Sequence, residues 1–240
     1  MQIHIYKTPE LAAKAAATLI AAAILAKNDA VIGLPTGSSP VAAYRELARM
    51  NKEGVIDFSR VTTFNLDEYM GLAGDHPQSY RYFMNENLFD HINIAKENTH
   101  VPSGIGDGAA NARAYEEAIA AAGGIDLQFM GIGRNGHIGF NEPAAAFSDQ
   151  TGVITLTPST IEANARFFAS AGEVPRAAIS MGVGTIMRAR RTLLIATGAD
   201  KAGAVYGLVR GAITPSLPAS ALRLHPHCVV LLDEDAASRL

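Results

Sequence analysis

The chain has 240 residues, 48% of them hydrophobic and 18% charged, and its 20 Lys+Arg against 23 Asp+Glu give a formal net charge of −3. That balance argues against disorder and against a protein that coats nucleic acid, and the length allows one large α/β domain or two small ones. The single cysteine, Cys228, excludes an internal disulfide framework and fits a reducing compartment.

In chain order, Gln2–Tyr6 alternates polar and apolar residues and reads as a strand. The alanine-rich run 15–26 has the look of a leader's apolar stretch, yet at twelve residues it is too short to cross a bilayer, which takes about 20. Thr8 as N-cap, Pro9 at the first helical position and Glu10 in the first turn make it a helix instead. The expectation is a cytoplasmic chain with no membrane segment. Residues 30–33 form a short apolar strand, and Ser39-Pro40 reads as a cap and first-turn pair opening a helix to about Met50. Strands are predicted at 61–64, 125–130, 153–156, 178–181, 192–196 and 229–232. Helices are predicted at 81–89, at 109–122 ending on Gly123-Gly124, at 158–168 and at 200–210. Strands alternating with helices imply a doubly wound, mostly parallel α/β sheet with helices on both faces, and no repeat or linker divides residues 1–240, so one domain is expected.

Ligands of such sheets collect beyond the carboxyl ends of the strands. The loop Thr36-Gly37-Ser38-Ser39 joins a glycine and hydroxyls to a helix start, which makes a phosphate cradle of Gly37, Ser38 and Ser39. It lacks the Gly-Lys-Thr ending of a nucleotide P-loop, which favours a small phosphorylated metabolite. Arg166 and Lys201 are basic groups that could clamp the same dianion. Residues 131–136 match a G-x-G-x-x-G string, but no helix follows before Pro143, so a dinucleotide site is rejected. That loop instead flexes around His137, with Glu142 close enough to tune the imidazole for proton transfer. Asp67 and Glu68 follow a strand at the same edge; either could be a general base and the other an outward salt-bridge partner. His225-Pro226-His227-Cys228 has no complementary ligand cluster, so no metal is expected there. His4, His76, His91 and His100 show no partner pattern.

These residues resemble the glucosamine-6-phosphate deaminase family. The resemblance is carried by Leu34-Pro35-Thr36-Gly37-Ser38-Ser39-Pro40, by Phe64-Asn65-Leu66-Asp67-Glu68-Tyr69, and most specifically by Gly136-His137-Ile138-Gly139-Phe140-Asn141-Glu142-Pro143. Ala163-Asn164-Ala165-Arg166-Phe167-Phe168, Met181-Gly182-Val183-Gly184-Thr185 and Leu222-Arg223-Leu224-His225-Pro226 follow in family order across nearly the whole chain. The resemblance implies conversion of glucosamine 6-phosphate and water to fructose 6-phosphate and ammonia, without metal or organic cofactor. It implies that His137 opens the sugar ring, that Asp67 moves a proton from C2 to C1, and that Glu142 orients His137. It implies too that Ser38, Ser39, Arg166 and Lys201 hold the phosphate.

Two departures stand out. Asn135 occupies a place where some members carry Asp, which leaves the proton affinity of His137 open. A basic pair of the allosteric members falls on Gly152 and Ile154, and their longer C-terminal tail is missing. A non-allosteric enzyme, a monomer or small homo-oligomer, is therefore expected, its partner a small amino-sugar phosphate rather than nucleic acid or membrane. The alternatives are a galactosamine-6-phosphate deaminase, a 6-phosphogluconolactonase sharing the fold and a Gly-His loop, and a catalytically inactive sugar-phosphate sensor.

Overall fold

A computed structural model describes residues 1–157, 160–162, 165, 168, 170 and 173–240. Seven strands form one parallel sheet: β1 (Gln2–Tyr6), β2 (Val31–Leu34), β3 (Thr62–Asn65), β5 (Thr99–His100), β6 (Leu127–Met130), β9 (Thr192–Ala196) and β10 (Cys228–Asp233). Their spatial order is β1-β10-β9-β6-β2-β3-β5, and every pairing among them is parallel. A parallel ladder needs crossovers, and helices on both faces supply them. On one face lie α1 (Pro9–Ala26), α2 (Val41–Lys52) and α3 (Tyr80–Asn87), whose Ile20, Leu47 and Met84 share a core with Ile32, Phe129 and Leu193 of the sheet. On the other lie α4 (Gly108–Ala121), α5 (Val183–Met187) and α6 (Ala202–Arg210), whose Ile119, Ile186 and Val205 pack with Met130, Leu194 and Val230.

The alanine-rich run is a core helix in this structure. Thr8 Oγ1 accepts the Leu11 N–H at 3.3 Å, Pro9 begins the helix, and Ala12, Ala16, Ala17 and Ile20 are fully buried. Small side chains let the helix lie close against β1, β9 and β10. In length and hydropathy α1 also matches a membrane span, but 44% of it is buried inside the fold.

Three expectations need correction. Residues 152–155 and 177–180 do not join the parallel sheet. As β7 (Gly152–Thr155) and β8 (Ala177–Ser180) they form a separate antiparallel sheet with β4 (Asp67–Tyr69), in the order β4-β8-β7. Apolar runs of four report burial, not pairing direction, so the sequence pattern assigned them to the wrong sheet. Nor does Ser39 cap α2: Pro40 is the cap residue in helical conformation (φ −80°, ψ −15°), and no side chain caps it. The two-residue β5 and the three-residue β4 were not expected at all. Of the predicted helix 158–168, Pro158, Ser159, Ala163, Asn164, Arg166 and Phe167 lie outside the described residues.

Candidate active site

The strand order decides which loops meet. β9, β6, β2 and β3 are neighbours, so the segments leaving their carboxyl ends stand side by side. From β2 the chain continues to β3 and β5 on one side, and from β6 to β9 and β10 on the other. Loops diverging from adjacent strands open a crevice between them, the usual ligand position in an open α/β sheet. Around it stand the 35–40 loop after β2, Asp67 after β3, the His137 loop after β6 and Lys201 after β9.

Asp67 opens β4 one residue beyond β3 and is 6% exposed. Its carboxyl is pushed up to about 8, chiefly by burial and secondarily by the neighbouring Glu68 carboxylate. Glu68 has the opposite fate. Its carboxylate accepts the backbone N–H groups of Tyr69 (2.8 Å), Tyr80 (2.9 Å) and Arg81 (3.0 Å), so it caps the first turn of α3 while Ser79 Oγ accepts from Tyr82. Burial holds Glu68 above its usual range as well, against those three bonds. The two carboxylates thus differ in surroundings: Glu68 fixes β4 to α3 and faces no solvent, while the Asp67 oxygens have no hydrogen-bond partner among the described residues.

The His137 loop is built around the ring. Gly133 N–H donates to the His137 carbonyl at 2.9 Å, Gly136 N–H to the Gly133 carbonyl at 3.0 Å, and Ala219 N–H to the Gly136 carbonyl. A Cβ on Gly133 would stand 2.2 Å from the imidazole, so only glycine lets the ring lie against this backbone. The ring's Nδ1 is 2.7 Å from Asn135 Oδ1, which also accepts the His137 backbone N–H at 3.2 Å. Asn135 Nδ2 in turn donates to Glu142 Oε2 at 2.6 Å, and Thr160 Oγ1 donates to Glu142 Oε1 at 2.9 Å.

These bonds assign the tautomer. Glu142 and the His137 N–H together fix which end of the Asn135 amide is oxygen, an amide oxygen only accepts, and so Nδ1 carries the proton. Nε2 is left with a free lone pair. Burial lowers the imidazole's proton affinity, the Glu142 carboxylate 3.5 Å from Nδ1 raises it, and the charge of Lys201 lowers it again, for a net decrease. A neutral imidazole whose Nε2 keeps its lone pair suits proton transfer.

On the anion side, Gly37 takes φ 93° with open space over its α-carbon, Ser38 is exposed and Ser39 half-buried. Their hydroxyls have no partner among the described residues. Lys201 is mostly buried, which lowers its proton affinity, and its Nζ is 3.8 Å from Asp200, itself held by Arg134 at 2.7 Å. The sheet order therefore puts the segments that carry Asp67, Asn135, His137, Glu142, Gly37, Ser38, Ser39 and Lys201 at the same carboxyl edge; Arg166 lies outside the described residues. Sequence reasoning missed Thr160, which reaches Glu142 from 18 residues away, and the steric demand at Gly133. The G-x-G string was the available signal for the latter.

The family model described as glucosamine-6-phosphate isomerases/6-phosphogluconolactonase matches residues 7–231. A glucosamine-6-phosphate deaminase of Shewanella woodyi is 55% identical over 241 residues, covering 100% of this chain and 91% of its own. One of Clostridioides difficile is 51% identical, covering 100% and 97%. Among solved structures, a monomeric glucosamine-6-phosphate deaminase superposes with a TM-score of 0.96 at 44% identity over 100% of both chains. The 6-phosphogluconolactonase of Trypanosoma cruzi shares the fold, with a TM-score of 0.79 at 19% identity over 100% of this chain and 96% of its own.

Proposed function

The chain belongs to the glucosamine-6-phosphate deaminase family, and on that premise we propose that it converts glucosamine 6-phosphate and water to fructose 6-phosphate and ammonia. The observation that carries the residue roles is the pairing, at one rim, of a buried unengaged carboxylate with an imidazole whose Nε2 is free.

The phosphate dianion sits against the Gly37–Ser39 backbone and hydroxyls, Lys201 and Arg166. Binding energy from that remote group places C1 and C2 over Asp67. His137 Nε2 takes the anomeric hydroxyl proton and returns it to the ring oxygen, which opens the pyranose to the aldehyde. Asn135 and Glu142 hold the imidazole in the tautomer this needs. Asp67 then removes the C2 proton; the electrons move into C1–C2 and give an enolamine. Returning the proton to C1 makes a C2 imine, water adds to it, and ammonia leaves a ketone. One base serving two adjacent carbons suits a carboxylate held on one face of an extended chain. Burial of Asp67 raises its basicity, so its ionised form accepts a carbon-bound proton more readily than an ordinary carboxylate would.

Residues 1–240 act as one domain in this reading, in the cytoplasm, as a monomer without allosteric activation. The 44% identical monomeric deaminase and the absence of basic residues at Gly152 and Ile154 support the last point. The test is ammonia release from glucosamine 6-phosphate beside galactosamine 6-phosphate. Turnover of the gluco substrate is expected, and ammonia from neither would overturn the assignment.

A further inference from the structure

Asp67 sits in an unusual position for a base: among the described residues nothing donates to it. Glu68 repels it from the same strand, Tyr115 gives its hydroxyl to the Asn65 carbonyl at 2.7 Å, and Arg81 is spent on Thr99. Tyr69 and Tyr80, which also feel the Asp67 charge, bond to each other. One hydroxyl remains. In the antiparallel β4–β8 ladder Asp67 is directly opposite Ser180, so the two side chains project from the same face of the small sheet. Ser180 is 1% exposed. Both side chains converge on Gly139, where a Cβ would stand 3.1 Å from Ser180 Oγ and 3.3 Å from Asp67 Oδ2.

The bonding of Ser180 is half committed. Its oxygen accepts the Phe140 N–H at 3.1 Å, which holds Oγ in place beside the His137 loop. Its hydrogen goes to the Met181 carbonyl at 3.3 Å, a long bond to the adjacent residue. We infer that Ser180 is a positioning residue whose hydroxyl turns from the Met181 carbonyl to the Asp67 carboxylate when that carboxylate carries charge. The turn needs rotation about the Cβ–Oγ bond and a movement of the Asp67 side chain toward Ser180, and the Phe140 bond is kept. It would hold the base aimed at C2 and keep it ionised nearer neutral pH, with the Met181 carbonyl receiving the hydrogen back once Asp67 is protonated. The catalytic consequence rests on the role proposed above for Asp67; the hydroxyl switch itself does not.

The test is a carbon-13 NMR titration of the whole protein labelled at the aspartate carboxyl carbons, the Asp67 signal identified by its loss in Asp67→Asn. In Ser180→Ala the ionised carboxylate loses its donor, so the Asp67 midpoint should rise by about one pH unit, the size expected for a hydrogen bond to a charged group. Ser180→Thr keeps a hydroxyl and should leave the midpoint within about 0.3 unit by the same conversion. Should Ser180→Ala fail to fold, Ser180→Cys fills the space with a weak donor and should move the midpoint the same way. An unchanged or lowered midpoint in the folded Ala or Cys variant overturns the inference, whatever happens to turnover. Ammonia release by the wild type, measured alongside, separates failure of the switch from failure of the proposed reaction.

Discussion

At the scale of single residues, a buried acid without partners is a cost to the fold. Asp67 binds its proton more tightly folded, at about 8, than in the unfolded chain, at its ordinary 3.8. Between those values the unfolded state has lost the proton that the folded state keeps, so the Asp67 contribution to stability falls as pH rises from about 4 to about 8. Asp67→Asn removes that slope. The melting temperature of the variant relative to wild type should climb across this window; a difference independent of pH would contradict the raised proton affinity. His137 offers the companion test. Asn135 gives it a neutral acceptor, and Asn135→Asp would place a carboxylate 2.7 Å from Nδ1. An anion there favours the imidazolium, so the His137 midpoint in an imidazole NMR titration should rise by a unit or more, on the order of the effect of a close opposite charge. A fall would show that the amide is not where the ring's proton is held. The motif residues were legible in the sequence because chemistry demands particular side chains there. Which of Asp67 and Glu68 is tied up in backbone bonds was not, since that depends on the first turn of α3, twelve and thirteen residues beyond Glu68.

At the scale of elements, the site is made of strand ends plus one rigid loop. Alternation of strands and helices was visible as apolar runs broken by capped helices, and α1 follows its start signals to the residue. The antiparallel β4-β8-β7 sheet was hidden because β4 is three residues long and polar, and its pairing with Ala177–Ser180 is non-local. That sheet matters, since it carries Asp67. The 131–141 loop is the second element, and its precision depends on the imidazole lying flat on Gly133. Gly133→Ala should push the ring off Asn135 and lower kcat for the amino-sugar phosphate by about 100-fold or more, the scale of a lost general base. Its melting temperature should drop by only a few degrees, because the ring can move toward the partly open crevice. Near-normal turnover would mean that the ring's place is set by other contacts.

At the scale of the molecule, the two halves of the large sheet bring loops from distant stretches of chain to one rim, and the strand order rather than any motif puts Lys201 near His137. Order in a parallel sheet is not written in local sequence, although the segments singled out because they follow strands do leave the carboxyl ends of β2, β3, β6 and β9. The described site residues all lie on this one chain, in keeping with the proposed monomer. Ammonia release should therefore depend hyperbolically on substrate, at a sedimentation coefficient of the monomer; sigmoidal kinetics, or a larger particle that is the only active species, would contradict a self-contained site.

The most direct test is fructose 6-phosphate formation from glucosamine 6-phosphate by wild type and Asp67→Asn, run in deuterium oxide. Asp67 acting as the shuttle predicts product from the wild type in which C1 retains the substrate's own C2 proton in part or in full, and a variant slowed by about 1,000-fold, within the usual range for removal of a positioned base. A wild-type product whose added C1 hydrogen is all solvent deuterium, or a variant that forms fructose 6-phosphate at a rate near wild type, would contradict Asp67 as the shuttle.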